Sequence, residues 1–412
     1  MLRRLAVISA LAAVAFAALP ARSARRPRHG GTLRVEIGAS VASLDPDVEA
    51  ATAEEAAAKW QIDSLIFDHR DADGEFAGAA GSGPFRVTAF EAGKRAVLAA
   101  NEVFREGRPF VDAVEIAMGR GAHERLVDLE LNKTDFAQIP PQDARRAAEL
   151  GVRVSASQPD ELLALVFVSG NAAATSSART TSQAPGHAAG QALSLAIDRV
   201  AIVNFILQKT GEAAGGLLPQ WSSGTAFLFP AGAPTAADLD HTKELWKEIA
   251  AARPLVLGYD SADPLEQSVA ERIVVNAKEA GMAVRAQAIP DAGAGNSRAV
   301  ALRAAHVDVE LVRWRMTSPL PVEALRSILL TVYLKAGMRA DEAPFPADPA
   351  SPEDIYKLQR EVWSTHRVVP LVWLPQVYGL SARVRDWKAP GPGENWPLAD
   401  VWLDTETPTG VQ

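Results

Sequence analysis

Between Leu255 and Ile289 the spacing of apolar residues changes twice. Leu255 to Asp260 is a short apolar run that reads as a strand. Asp263, Pro264 and Glu266 then supply an N-cap, a first-turn proline and a capping-box acid, the signature of a helix start. Leu265, Val269, Ile273 and Ala277 recur every four residues on one face, Gly281 provides the stop, and Met282 to Ile289 reads as a further strand. A strand, a helix and a strand in that order predict a βαβ unit and a parallel sheet. The same reasoning predicts helices over Glu54 to Ile66, His123 to Leu131, Gln142 to Leu150, Gln191 to Leu207, Val322 to Leu334 and Pro352 to Thr365. Strands are predicted over Thr32 to Ile37, Phe85 to Phe90, Val111 to Met118, Leu162 to Val168, Val307 to Val312 and Val369 to Leu374. The expected class is α/β, or mixed α+β.

Two stretches break the pattern. Gly170 to Gly190 is almost entirely Ala, Ser, Thr and Gly, which buries little and predicts a loop. Phe229 to Asp238, with two prolines among small residues, is a candidate domain crossing. No repeat of fixed period is present. At the amino terminus Arg3 and Arg4 precede an almost wholly apolar run, Leu5 to Leu19, too short to span a bilayer and followed by small residues at Ala21, Ser23 and Ala24. That is the form of a cleaved signal peptide, here Met1 to Ala24, and it places the expected mature protein in the periplasm. A twin-arginine reading of Arg3 and Arg4 lacks the surrounding motif.

The chain of 412 residues carries a formal charge of −8, and loss of the leader removes Arg3, Arg4 and Arg22 and makes it more acidic. An acidic surface argues against nucleic acid as a partner. There is no cysteine, which excludes disulfides, thiolate metal sites, cysteine nucleophiles and a lipid-bearing cysteine. Motifs that carry chemistry are lacking. There is no GxxxxGK and no HExxH, and no two histidines stand at helical ligand spacing. Gly81, Ser82 and Gly83 run into Pro84, which reads as a turn entering a strand, not as a dinucleotide loop. Asp71, Asp73 and Gly74 imitate an EF-hand loop whose outer ligand positions are His69 and Ala80, so a plain turn is the better reading. His69 beside Asp68, and His366 beside Arg367, form no constellation with a nucleophile. No catalytic residue, metal site or cofactor is expected.

GGTLRVEIGASVASLDP (Gly30 to Pro46) resembles the opening strand and turn of the family 5 extracellular solute-binding proteins, the group that includes periplasmic oligopeptide-, dipeptide- and nickel-binding proteins. GSGPFRVTAFEAGKRAVLAANEVFREGRPFVDAVEI (Gly81 to Ile116), QALSLAIDRVAIV (Gln191 to Val203), GLLPQW (Gly216 to Trp221), LGYDSADPLEQSVAERIVVNAKEAGMAV (Leu257 to Val284) and VPLVWLPQVYGLSARVRDW (Val369 to Trp387) are similar to further segments of that family, in the same order. The resemblance implies a two-lobed periplasmic binding protein fold with a discontinuous first lobe. On that basis 31–45, 81–232 and 369–412 are expected to form lobe I and 233–368 lobe II. Pro46 to Ala80 is what remains of an additional small domain, too short for its own core and expected to hold at most one helix.

Ligands of open α/β sheets bind outside the carboxyl ends of parallel strands. Tyr259, Asp260 and Ser261 occupy that position in the βαβ unit, and Trp314, flanked by Arg313 and Arg315, ends another strand. An aromatic wall beside cations suits an anionic or zwitterionic solute; the alternatives are core packing for Trp314 and a solvated edge for the arginines. Trp221 and Tyr378 are placed by resemblance alone. In VDVELVRWRMTSPLPVEAL (Val307 to Leu325) the acid that clamps a peptide's ammonium in peptide-binding relatives falls at Thr317, which has no charge. The leading expectation is the substrate-binding component of an ABC importer, a monomer with a peptide-like or small polar ligand and an inner-membrane permease as partner. A transport-incompetent sensor or partner-binding module is the alternative, and a secreted hydrolase a third, for which no nucleophile and base pair is evident.

Overall fold

The computed structural model describes residues 26–50, 52–67, 69–70, 76–77, 81–168, 185–222, 236–249, 253–290, 296–335 and 351–404. The expected leader Met1 to Ala24, the turn at Asp71 to Gly74, and most of the loops Gly170 to Gly190 and Phe229 to Asp238 lie outside them.

The elements, in chain order, are β1 (Thr32–Glu36), α1 (Ala53–Ile66), β2 (Phe85–Glu91), β3 (Arg95–Ala100), β4 (Ala113–Ala117), α2 (Ala122–Glu130), β5 (Phe136–Ile139), α3 (Ala144–Glu149), β6 (Arg153–Phe167), α4 (Pro185–Ala196), β7 (Glu212–Ala213), α5 (Leu239–Ile249), β8 (Leu255–Asp260), α6 (Pro264–Glu279), β9 (Val284–Ile289), α7 (Asn296–Ala304), β10 (Val309–Arg315), α8 (Pro321–Lys335), α9 (Pro352–Ser364) and β11 (Val368–Leu380). These strands join one sheet in the order β9-β8-β10-β6-β11-β5-β1-β4-β3-β2, with β7 on β11. The mixed α/β class therefore holds, and β8, α6 and β9 form the parallel unit expected from periodicity. Asp263 caps α6 by accepting from the amides of Leu265 and Glu266 at 2.8 and 3.3 Å, Pro264 fills the first turn, and Leu265, Val269, Ile273 and Ala277 are buried.

Two strands are longer than their apolar runs suggested. β6 begins at Arg153, well before the apolar Leu162, and β11 continues to Leu380 with every residue buried. They run antiparallel along their whole length, Val368 opposite Val166 and Leu380 opposite Arg153. The pairing slips at Pro370, at Pro375 and before Val377, with Pro159 set against Pro375. Proline cannot donate to the ladder, so prolines on facing strands produce irregular pairing and a local change of twist.

The cores divide at this irregularity. On one side Leu33, Val35, Phe85, Val114, Phe136, Tyr378, Trp387 and Leu403 pack together, and Leu126, Leu129, Ile139, Val152 and Val377 form a neighbouring cluster. On the other, Leu163, Leu193, Ile202, Val269, Leu311 and Leu371 pack on one face of the sheet, and Leu162, Leu218, Trp314, Leu329, Ile355 and Trp373 on the other. The division differs from the expected lobe boundaries at 232/233 and 368/369. Leu162 to Trp221 and Val368 to Leu374 pack with 255–364, because β6 and β11 are long enough to serve both halves. In Pro46 to Ala80, α1 contributes Ile62, Leu65 and Ile66 to the first half's core, and the only other element described there is the hairpin pair His69–Arg70 and Phe76–Ala77.

The helix expected over Gln191 to Leu207 is interrupted. α4 ends at Ala196, and Arg199–Ala201 restarts at about 50° to it before a π-helical turn, Ile202–Ile206. Asp198 caps the restart by accepting from the Ala201 amide at 2.8 Å. Arg199 turns inward, fully buried, donating to the carbonyls of Pro370 at 2.8 Å and Ser194 at 2.9 Å. An apolar periodicity does not reveal this break, since the apolar face continues through it.

Candidate functional site

The strand directions place the carboxyl ends of both halves at the crossover. In the second half β10 pairs with β6 so that Arg315 lies opposite Glu161, and β8 and β9 run parallel to β10. All three end on the side facing the first half. In the first half β5 lies antiparallel to β11 with Ile139 opposite Val377, and β1 and β4 run parallel to β5. Glu36, Ala117 and Ile139 therefore face the second half, the position in which open α/β sheets bind ligands.

A charged cluster occupies the crossover. Glu161 is buried and forms ion pairs with Arg313 through Nε and with Arg315 through Nη2, the latter at 3.0 Å. Arg313 Nη1 reaches Asp263 at 2.6 Å, so the residue that caps α6 also holds this arginine. Gln376 Nε2 donates to Glu161 at 3.2 Å and to Asp160 at 3.3 Å, and Gln138 Nε2 donates to Gln376 Oε1 at 2.6 Å. The Met316 amide donates to the Asp160 carbonyl at 2.8 Å. Gln138 of the first half thus reaches the pair of adjacent carboxyls through Gln376. Arg315 Nε is buried and has no hydrogen-bond partner among the described residues.

The two carboxyls differ in charge. Burial works to push both up, but Arg313 and Arg315 hold Glu161 down at about 2. Burial pushes Asp160 up to about 7 against the pull of Arg315, with the Glu161 charge adding to the rise. Glu266 is also pushed up to about 7 by burial, although it accepts the Asp260 amide at 2.8 Å. In the first half burial and the neighbouring Asp128 push Glu36 up to about 7, opposed by Arg120. A carboxyl whose folded pKa is raised is neutral in the fold and favours it below the unfolded pKa; that advantage disappears as pH rises through the folded value. The protein is therefore expected to lose stability between pH 5 and pH 8, by roughly 1–3 kcal/mol for each of Glu36, Asp160 and Glu266. Thermal unfolding across that range checks this, with Asp160→Asn and Glu266→Gln each flattening the curve. A flat or rising curve for the unsubstituted protein would contradict it.

The residues proposed from sequence separate into four groups. Arg313 and Arg315 lie in the cluster, and Trp221 joins it through an Nε1 hydrogen bond of 2.8 Å to the Pro159 carbonyl. Tyr378 is buried beside it, stacked on Phe136 at 5.3 Å, its hydroxyl pushed up to about 12 by burial. Tyr259, Asp260 and Ser261 stand at the end of β8, with Tyr259 half-buried against the core and Asp260 accepting from the Ala262 amide at 2.8 Å. Trp314 points to the opposite face from its neighbours. It is buried, edge-on to Trp373 at 6.3 Å, with Nε1 donating to Ser327 at 3.2 Å. Alternation along a strand places residues 313 and 315 together and 314 across the sheet, which corrects the expected aromatic wall. Thr317 is exposed just beyond β10.

Asp160, Glu161, Gln376 and Gln138 were not singled out from sequence. Two adjacent acids directly after Pro159 and before a wholly apolar run are the signal that was available. Among the described residues no group of three His, Cys, Asp or Glu side chains is arranged to hold a metal ion. An open depression of about 290 Å³, lined by Gln142, Arg145, Arg146, Glu149 and Gln208, shares no residue with the cluster.

Comparison with known proteins gives this geometry a family. Residues 36–332 match the bacterial extracellular solute-binding proteins, family 5, middle region. The chain belongs to that family. The oligopeptide-binding protein AppA of Bacillus subtilis is 28% identical over 134 residues, covering 32% of this chain and 23% of that protein, so the match spans about a quarter of the curated relative. Among solved family-like structures, the ABC transporter substrate-binding protein CtaP of Listeria monocytogenes superposes with a TM-score of 0.69 at 14% identity, covering 91% of this chain and all of that one. DppA of Helicobacter pylori, solved with the peptide STSA, gives 0.62 at 13% identity, covering 92% and 99%. NikA of Staphylococcus aureus, solved with a nickel–histidine complex, gives 0.62 at 11%, covering 90% and 100%. At such identities these structures establish the two-lobed fold that family 5 shares.

Proposed function

We propose that this family 5 protein is the substrate-binding component of an ABC importer, holding a small polar or peptide-like solute between its two halves. The observation that carries the reading is the convergence of strand carboxyl ends from both halves on the Glu161, Arg313 and Arg315 cluster. A solute seated there touches both halves, so its binding favours their closure. The protein acts in the periplasm as a monomer, delivers its solute to an inner-membrane permease, and carries out no chemistry on it. Relatives of known structure were solved with a peptide and with a nickel–histidine complex, which sets the range of solutes to test first.

Thr317 bears on specificity. It is exposed at the rim of the cluster and offers an ammonium only a hydroxyl. Di- and tripeptides are expected to bind weakly, and Thr317→Asp to tighten them about five-fold, the gain of an exposed ion pair worth about 1 kcal/mol. Isothermal calorimetry with a defined dipeptide and tripeptide set checks this. Micromolar binding to the unsubstituted protein, unaltered by Thr317→Asp and by Arg315→Ala, would place the solute elsewhere.

A further inference from the structure

The stretch between Trp387 and Trp396 forms a strap that belongs to the first half and presses on the second. Both tryptophans are buried in the first half's core, their rings edge-on to Phe136 at 4.5 and 5.3 Å. Within the strap Gly391 to Glu394 close a tight turn: the Glu394 amide donates to the Gly391 carbonyl at 3.0 Å, and the Gly391 amide donates to the Glu394 carboxylate at 2.7 Å. Gln61 on α1 fastens it, accepting from the Trp396 amide at 2.7 Å and donating to the Glu394 carbonyl at 3.3 Å. At its tip Gly393, with φ of +72°, lies against the backbone of Thr317 and Ser318 in the second half. A Cβ at Gly393 would stand 2.4 Å from the Thr317 carbonyl oxygen and 3.3 Å from its carbonyl carbon, both backbone atoms that cannot rotate away.

We infer that the Gly391 to Glu394 turn is a stop that seals one end of the cleft at Thr317 and limits the length of solute that fits. The length limit rests on the solute-binding reading above; the contact between the halves does not. Thr317 follows β10 directly and Met316 is bonded to Asp160, so the sealed end lies beside the charged cluster. A solute reaching the cluster cannot continue past Gly393 while the halves touch. Glycine serves here for two reasons: the left-handed backbone and the absence of a Cβ at the point of contact.

The absence of cysteine allows a clean measurement. Val103→Cys in the first half and Val275→Cys in the second, both at exposed positions, take a spin-label pair for pulsed distance measurements on the full chain. Gly393→Ala is expected to lengthen and broaden the distance distribution. Gly151→Ala is the control, since Gly151 has a left-handed φ of +83° but nothing within 4 Å of its Cβ position, and it should leave the distribution unchanged. Gln61→Ala, which unfastens the strap without altering its tip, should broaden the distribution and serves in place of Gly393→Ala if that variant does not fold. Unchanged distances in both strap variants, or an equal change in Gly151→Ala, would overturn the stop. Calorimetry with trialanine and hexaalanine tests the length limit: the unsubstituted protein should favour trialanine at least ten-fold, and Gln61→Ala should narrow that ratio. Equal affinity for the two peptides would overturn the limit. Binding of neither would overturn the length limit and leave the solute-binding reading to be judged with the nickel–histidine complex, while the distance result judges the contact independently.

Discussion

Replacing Trp314 with alanine should cost the fold about 3–5 kcal/mol and leave the solute affinity of the protein that remains folded nearly unchanged. Trp314 fills the core under the second half's sheet, beside Trp373, Leu162, Leu325 and Ile328. Its removal opens a cavity that neighbours on a continuous strand close only in part. It also deletes an edge-on aromatic contact and the bond to Ser327. Trp314→Phe keeps an aromatic ring and should lose only part of that stability. Urea unfolding followed by the far-ultraviolet signal measures the cost, and calorimetry on the folded fraction measures the affinity. Stability within 1 kcal/mol of the parent, together with weakened binding, would return Trp314 to the cleft.

How Trp314 is placed shows what a linear pattern conveys and what it omits. The βαβ unit around Asp263 was legible because its N-cap, first-turn proline, four-residue repeat and terminal glycine are local signals acting within one element. Similarly, the strand ending at Arg315 was legible as apolar, and residues 313 to 315 as unusual. Which face each occupies depends on register against β6, and that register is set by residues more than a hundred positions away. Arg153 to Pro159 escape recognition as strand because those residues are mixed in polarity and partly exposed, and their pairing is imposed by β11. For the same reason no loop marks where the core clusters change over, only Pro159 and Pro375 on two continuous strands. The cluster is likewise a product of pairing, since Asp160, Asp263, Arg313 and Gln376 meet only when four elements are assembled.

Glu161→Ala should destabilise the protein by about 3 kcal/mol, the lower end of the range for breaking a buried ion pair. Glu161 is buried, while the side chains of Arg313 and Arg315 keep exposures of 30% and 38%, so water recovers part of the cost. The two arginines do not lose equally. Arg313 retains Asp263, whereas Arg315, whose Nε already has no partner among the described residues, loses its one carboxylate partner within ion-pair distance there. Removing the second charge should therefore relieve the first: Glu161→Leu with Arg315→Met should be more stable than Glu161→Ala, because a well-packed apolar pair avoids leaving a charge without its partner. The pH dependence gives an independent check. Glu161 is held at about 2 in the fold, so its contribution is complete above the ordinary carboxylate range and disappears as pH falls towards 2. The gap between parent and variant should be widest near pH 5, shrink below pH 4, and narrow again towards pH 8, where the parent loses more through its raised Asp160 carboxyl. Loss of its charge also removes one cause of the raised Asp160 pKa, so Asp160 in the variant should titrate below its present value of about 7. Chemical unfolding of parent, single and double variants from pH 3 to pH 8 measures all three effects. A double variant less stable than Glu161→Ala would show that the arginines are held by something other than Glu161.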